Sequence, residues 1–189
     1  MGILLALLLA FAQTERAPAQ FNAKFETSAG VFVIEVHRDW SPYGADRFYN
    51  LVKSGFYNNA RFYRVIPNFM AQFGFHADPA AGKRWLTSTI PDDTVKQGNT
   101  RGFVTFAKTG YPNSRTTQVF INYKDNSFLN RDGFSPFGKV VSGMDIVDKL
   151  YGVYGEKSNQ QDRIKAEGNA YLTKNFPKLD YIKKATIEK

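Results

Sequence analysis

Phe62-Tyr63-Arg64-Val65-Ile66-Pro67-Asn68-Phe69-Met70-Ala71-Gln72 reads as two extended segments broken at a proline. Residues Arg61–Ile66 form one strand and end at Pro67, which has no N–H to give to a ladder. Phe69–Phe75 is a second apolar, extended run. Strand side chains alternate between faces, so Arg64 is expected to share a face with Phe62 and Ile66. A charge there is costly unless the face opens into a wet pocket or meets a partner. The ordinary alternative is an arginine snorkelling to solvent. Met70 and Gln72 share one face, Ala71 and Phe73 the other. Further on, Gln118 and Phe120 are set in the same way against Val119 and Ile121. Two strands thus each place an amide beside a large apolar group. Parity alone favours ordinary core with satisfied edge polars.

Extended runs recur on both sides of this one. Ala23–Ser28 and Val31–His37, joined at Ala29-Gly30, read as a hairpin, with Phe32, Ile34 and Val36 alternating against Val31, Val33 and Glu35. Gly102–Lys108, Thr117–Asn122, Phe137–Val141 and Tyr181–Ile187 are further strands. Ser41-Pro42 opens a helix, with Ser as N-cap and Pro at the first position. Ala45, Phe48, Leu51 and Val52 give it one apolar stripe, and Gly55 stops it. Met144–Tyr151 is a second helix. Ile164, Tyr171, Leu172 and Phe176 suggest a third, interrupted by Gly168. His76–Arg101 shows no period and reads as a long surface excursion. Lys124–Gly133 reads as a polar loop holding Phe128 and Leu129. Many strands and few helices predict a mainly β fold, a closed or nearly closed barrel with a helix over each open end.

The chain has 189 residues, enough for one domain with a full core. It has no cysteine and only two histidines, His37 and His76. Disulfides and thiolate metal sites are excluded, and no histidine pair has zinc-ligand spacing. The net charge of +8 is spread along the chain, its densest pairs being Lys83-Arg84 and Lys183-Lys184. That pattern fits a solvated basic surface better than a nucleic-acid interface. Ile3–Ala12 is an apolar run too short to span a bilayer, which needs roughly 20 residues, but of signal-peptide length. Small residues fit cleavage after Ala12 or after Ala19, and no Cys follows to take a lipid. We expect residues 1–19 to be signal peptide and linker. Residues 20–189 would then be one domain, exported to the periplasm or the exterior of a bacterium.

No nucleophile elbow, P-loop or dinucleotide fingerprint occurs. Four segments instead carry a family resemblance. They are Phe62–Gln72, Phe103-Val104-Thr105-Phe106-Ala107-Lys108-Thr109-Gly110, Pro112–Asn122 and Phe137-Gly138-Lys139-Val140-Val141-Ser142-Gly143-Met144-Asp145. In this order and spacing, across residues 23–155, the chain resembles the cyclophilin-type peptidyl-prolyl cis/trans isomerases, bacterial rather than eukaryotic members. Tyr181–Ile187 resembles the family's closing strand, and residues 157–178 look like an insertion relative to compact members.

The resemblance implies a closed eight-stranded antiparallel β-barrel capped by two α-helices, with the active site on its outer face. It implies that Arg64 is catalytic and that Gln72 binds substrate backbone and orients Arg64. Phe69, Met70, Phe120 and Leu129 would line a proline pocket, with Phe128 and Phe134 also against the substrate. Ala107 and Gln118 would touch the peptide in the neighbouring groove. The expected partners are proline-containing peptides and unfolded or folding proteins. No metal, cofactor or nucleic acid is expected, and the chain is expected to be a monomer. Three positions depart from the family pattern. Phe128 stands where many eukaryotic members have Trp, Phe134 stands where they have His, and Phe73 replaces the first of two adjacent glycines. The first two bear on cyclosporin binding, and the third on the neighbouring groove. A proline-binding module without turnover is the competing reading, against which the retained Arg64 argues.

Overall fold

The computed structural model describes residues 14–188. The apolar run Ile3–Ala12 lies outside them. Eight strands form one sheet: β1 (Gln20–Thr27), β2 (Val31–His37), β3 (Arg64–Ile66), β4 (Met70–Phe73), β5 (Phe103–Phe106), β6 (Val119–Asn122), β7 (Pro136–Ser142) and β8 (Ile182–Glu188). Their order is β3-β4-β6-β5-β7-β2-β1-β8, with every neighbour antiparallel.

The register of four strands sorts core from site. Val65, Ala71, Ile121 and Val104 stand opposite one another across β3, β4, β6 and β5, and all are buried in the core. The adjacent row is Arg64, Gln72, Phe120 and Thr105, one residue away on each strand and therefore on the other face. On the inner side, aromatic rings fill the volume. Phe25 meets Phe32, Phe48, Tyr57 and Phe73 at centroid separations of 5.1–6.3 Å. Such pairs contribute about 0.5–1.5 kcal/mol each beyond their burial.

Two expectations fail for the same local reason. Phe62 does not share a face with Arg64. It turns inward against Phe32 and Phe73, and Tyr63 joins an apolar cluster outside the main core. Alternation holds only where the ladder holds, and β3 begins at Arg64. Nor does the sheet close into a barrel. Its edges, β3 and β8, are linked by the single Arg61–Tyr181 bridge and by bonds such as Ile182 N–H to the Ala60 carbonyl at 2.9 Å. The result is an open, curled half-barrel. With three residues, β3 is too short to run a seam, and Asn59, at φ 63°, breaks the extended path just before it.

The described residues hold six α-helices, more than the two or three expected. These are α1 (Pro42–Lys53), α2 (Pro79–Thr87), α3 (Phe128–Arg131), α4 (Met144–Asp148), α5 (Gln161–Glu167) and α6 (Asn169–Asn175). Helix α1 buries the stripe Ala45, Phe48, Leu51 and Val52, and α4 sends Val147 into the same core. Ser41 does not cap α1 with its own side chain. Its hydroxyl donates to Asp93 Oδ2 at 2.5 Å, and that carboxylate accepts the Gly44 N–H at 3.0 Å. Helix α2 lies inside the segment read as irregular. It buries only Gly82, so it carries no apolar stripe by which to be found.

Helices α5 and α6 meet at Gly168, where φ is 57° and a Cβ would lie 2.4 Å from the Ala77 carbonyl oxygen. Ile164, Leu172 and Leu179 pack there with Tyr63 and Phe75. Residues 15–19, expected to be linker, lie along α1. Glu15 N–H reaches Asn50 Oδ1 at 2.9 Å, Ala17 N–H reaches Asp46 Oδ1 at 2.8 Å, and Ala17 is buried.

Candidate active site

The outer row of the sheet opens into a cavity of about 240 Å³. Nine of the ten residues named from the sequence line it: Arg64, Phe69, Met70, Gln72, Ala107, Gln118, Phe120, Leu129 and Phe134. Phe128 does not. It is half exposed, with its ring stacked on Phe69 at 6.2 Å, outside the wall. Met70, Phe120 and Leu129 are buried and form an apolar floor, against which Phe69, Ala107 and Phe134 pack.

Polar groups are concentrated on one side. The ladder sets Arg64 directly opposite Gln72, and Arg64 Nη1 donates to Gln72 Oε1 at 3.2 Å. Gln72 Nε2 donates to Gln118 Oε1 at 3.3 Å, and the Tyr63 hydroxyl donates to the same oxygen at 2.6 Å. On its far side Arg64 meets Glu156, from the one-turn 3-10 helix Gly155–Ser158. Nε lies 2.9 and 3.0 Å from the two carboxylate oxygens, and Nη2 lies 2.5 Å from Oε1. This hydrogen bonding holds the Glu156 carboxyl below the ordinary carboxylate value, against a smaller opposing effect of burial. The guanidinium also lies 5.8 Å from the Phe69 ring centroid.

The wall carrying Leu129 and Phe134 hangs from β6 by a loop and is braced from below. Asn99, fully buried, donates from Nδ2 to the Phe134 carbonyl and to Asn130 Oδ1, both at 2.8 Å. Its Oδ1 accepts the Thr105 hydroxyl at 2.8 Å. Thr105 is the last member of the outer row, so Asn99 ties the loop to the sheet. The excursion at 76–101 thus supplies support at one end and α2 at the other.

Sequence reasoning missed several members of the site. Lys108, Thr109, Ser114 and Thr116 line the cavity beyond Gln118, but a Gly/Pro/Asn turn gives no sign of which side chains face inward. Tyr63 was hidden by the broken alternation at Phe62. Glu156 and Gln161, the latter also in the wall, lie far from the motifs in sequence. Phe73 does not shape the groove, since it is fully buried against Phe25, Tyr57 and Phe62. Gly74 does the shaping: a Cβ there would lie 2.5 Å from both the Thr117 carbonyl oxygen and Gln118 Cα.

The same architecture and sequence pattern occur in known proteins. A family model described as cyclophilin type peptidyl-prolyl cis-trans isomerase/CLD matches residues 22–169. The chain is 38% identical over 151 residues to a peptidyl-prolyl cis-trans isomerase of Acinetobacter baylyi, covering 76% of this chain and 80% of that one. It is 37% identical over 167 residues to peptidyl-prolyl cis-trans isomerase B of Escherichia coli, covering 84% and 93%. Among solved structures, a cyclophilin type isomerase from Cryptosporidium parvum shares the fold with a TM-score of 0.65 at 22% identity, over 90% of this chain and 98% of that one. The matched span runs from β1 through the cavity and into α6, and on it the chain belongs to the cyclophilin-type peptidyl-prolyl cis-trans isomerases.

Proposed function

We propose that this isomerase lowers the barrier to X-Pro rotation by two means. It holds the proline ring on the Met70, Phe120 and Leu129 floor, and it donates a hydrogen bond from Arg64 to the prolyl nitrogen. The uncatalysed barrier is about 18–20 kcal/mol because the C–N bond is partly double. No bond is made or broken in the reaction, so neither a nucleophile nor a proton carrier is needed. In the planar amide the nitrogen lone pair is delocalised and accepts poorly. In the twisted amide the pair is localised and accepts well. A donor aimed at that nitrogen therefore acts on the transition state and hardly on the ground state. A rate gain of about 10⁵ requires close to 7 kcal/mol from all effects together.

The observation that carries this reading is the placement of Arg64 in the wall of an apolar cavity, with donors to spare. A guanidinium has five N–H groups. Glu156 takes one on Nε and one on Nη2, and Gln72 takes one on Nη1. One N–H on each Nη remains for a substrate. Gln118 and Ala107, beside the floor, are suited to the peptide on either side of the proline.

The substrates under this reading are proline-containing segments of unfolded or folding proteins. The apolar run at Ile3–Ala12, of signal-peptide length, supports a reading in which these clients are met outside the cytoplasm. Comparing isomerisation of a proline peptide by wild type and Arg64→Ala tests the mechanism.

A further inference from the structure

The Arg64 guanidinium is hydrogen-bonded from two sides, and only one of them belongs to the sheet. Gln72 comes from the opposed strand. Glu156 comes from the 3-10 helix Gly155–Ser158, a separate element that packs beside β3. The carboxylate takes Nε and Nη2 together, which is the side-on, bidentate form of an arginine–carboxylate pair. That geometry fixes the plane of the guanidinium as well as its position. Arg64 is not held by burial, since its side chain keeps 24% of its exposure. A free arginine at such a place would lose rotamer entropy on each approach to the reacting nitrogen.

Glu156 does not line the cavity, whereas Arg64 does. The carboxylate thus grips the guanidinium from behind and leaves the cavity side open. Glu156 is held in turn: Asn159 Nδ2 donates to its Oε2 at 3.1 Å. Gln161 Nε2 donates to Asn159 Oδ1 at 3.2 Å, at the start of α5. Helix α5 is anchored through Ile164, which is buried in one apolar cluster with Tyr63.

We propose that Glu156 is a positioning residue for the isomerase reaction, orienting Arg64 toward the prolyl nitrogen from outside the substrate cavity. The 3-10 helix and α5 form its mount. This rests on Arg64 acting on the twisted amide, as set out above.

The test is NMR line-shape analysis of a proline peptide, which separates the on-enzyme isomerisation rate from binding. It is run on wild type, Glu156→Gln, Arg64→Ala, Arg64→Lys and the Glu156→Gln/Arg64→Lys double variant. Glu156→Gln is expected to slow the on-enzyme rate roughly 5- to 20-fold, with peptide affinity within about twofold and thermal stability nearly unchanged. In the Arg64→Lys background the same change is expected to cost less than about twofold, because an ammonium offers no side-on fork to align. A Glu156→Gln enzyme as fast as wild type, or faster, overturns the proposal. So does an undiminished loss in the Arg64→Lys background, which would show Glu156 acting other than through the guanidinium. A fully active Arg64→Ala overturns the underlying mechanism and the proposal together. An inactive Arg64→Ala beside a fully active Glu156→Gln overturns the proposal alone.

Discussion

The Tyr63 hydroxyl donates to Gln118 Oε1 at 2.6 Å, from the residue before β3 to the residue before β6. Tyr63 is fully buried, and burial pushes its hydroxyl pKa far up, so it remains a neutral donor at any working pH. With Gln72 Nε2 on the same oxygen, the Gln118 amide is turned so that its NH₂ is left for the groove. Tyr63→Phe removes the stronger of the two restraints and lets the amide rotate. We expect kcat/KM to fall about 2- to 12-fold, the worth of one ordinary hydrogen bond, with the loss mainly in peptide affinity. Titration of a proline peptide into wild type and Tyr63→Phe measures it. Unchanged affinity would show that Gln118 does not need its tether.

Asn99→Ala is expected to damage both fold and site. It strips the Phe134 carbonyl, Asn130 and Thr105 of a shared, fully buried partner. Buried polar groups left unpaired cost about 1–3 kcal/mol each, partly offset by relaxation, so a loss of about 2–4 kcal/mol is expected. Thermal unfolding should show a Tm lower by roughly 2–4 °C for each kcal/mol. Peptide affinity should fall as well, because Leu129 and Phe134 lose their brace. A stability loss with peptide binding untouched would mean that the wall holds itself.

Cyclosporin is expected to inhibit this enzyme poorly, and Phe128→Trp to tighten it. In sensitive members of the family the Trp at this position offers an indole N–H to the drug. Phe128 stacks on Phe69 and has no donor to offer. A drug carbonyl desolvated without a partner costs about 1–3 kcal/mol, or roughly 5- to 150-fold in affinity. Since Phe128 lies outside the cavity wall, isomerase activity should change little. Paired inhibition curves on one substrate check both statements. Equal, tight inhibition of both enzymes would contradict them.

Export with cleavage after Ala12, and not after Ala19, is the fourth expectation. Both sites carry small residues at the right positions. Cleavage after Ala19 would remove Ala17 from the core and break the bonds from residues 15 and 17 to α1. Sequencing the N-terminus of protein from a bacterial periplasm should read Gln13 first. An intact Met1 in the cytosol would contradict export, and a Gln20 start would contradict the choice of site.

How far the sequence could be read depended on the range of each signal. Periodicity is a local signal: helical spacing found the stripe of α1, and alternation found the β1–β2 hairpin and the Ala71 and Phe73 face. It failed at Phe62, where one irregular residue pair resets the phase. It was silent on α2, whose only buried residue is Gly82. Closure of a barrel is a property of two distant edges, so the open seam between β3 and β8 had no local trace. The motif residues of the site lie in continuous segments and were found together. Tyr63, Asn99 and Glu156 act through hydrogen bonds spanning 55, 35 and 92 positions, and no spacing rule connects such partners.

The isomerisation rate of Arg64→Ala tests most directly whether Arg64 acts on the twisted amide. Measured on one proline peptide beside wild type, kcat/KM should fall roughly 10²- to 10³-fold, or about 3–4 kcal/mol. Arg64→Lys should recover only part of it, since a point charge lacks the planar fork. Melting temperature serves as the control for folding. An Arg64→Ala enzyme with the Tm of wild type and a near wild-type rate would contradict the account.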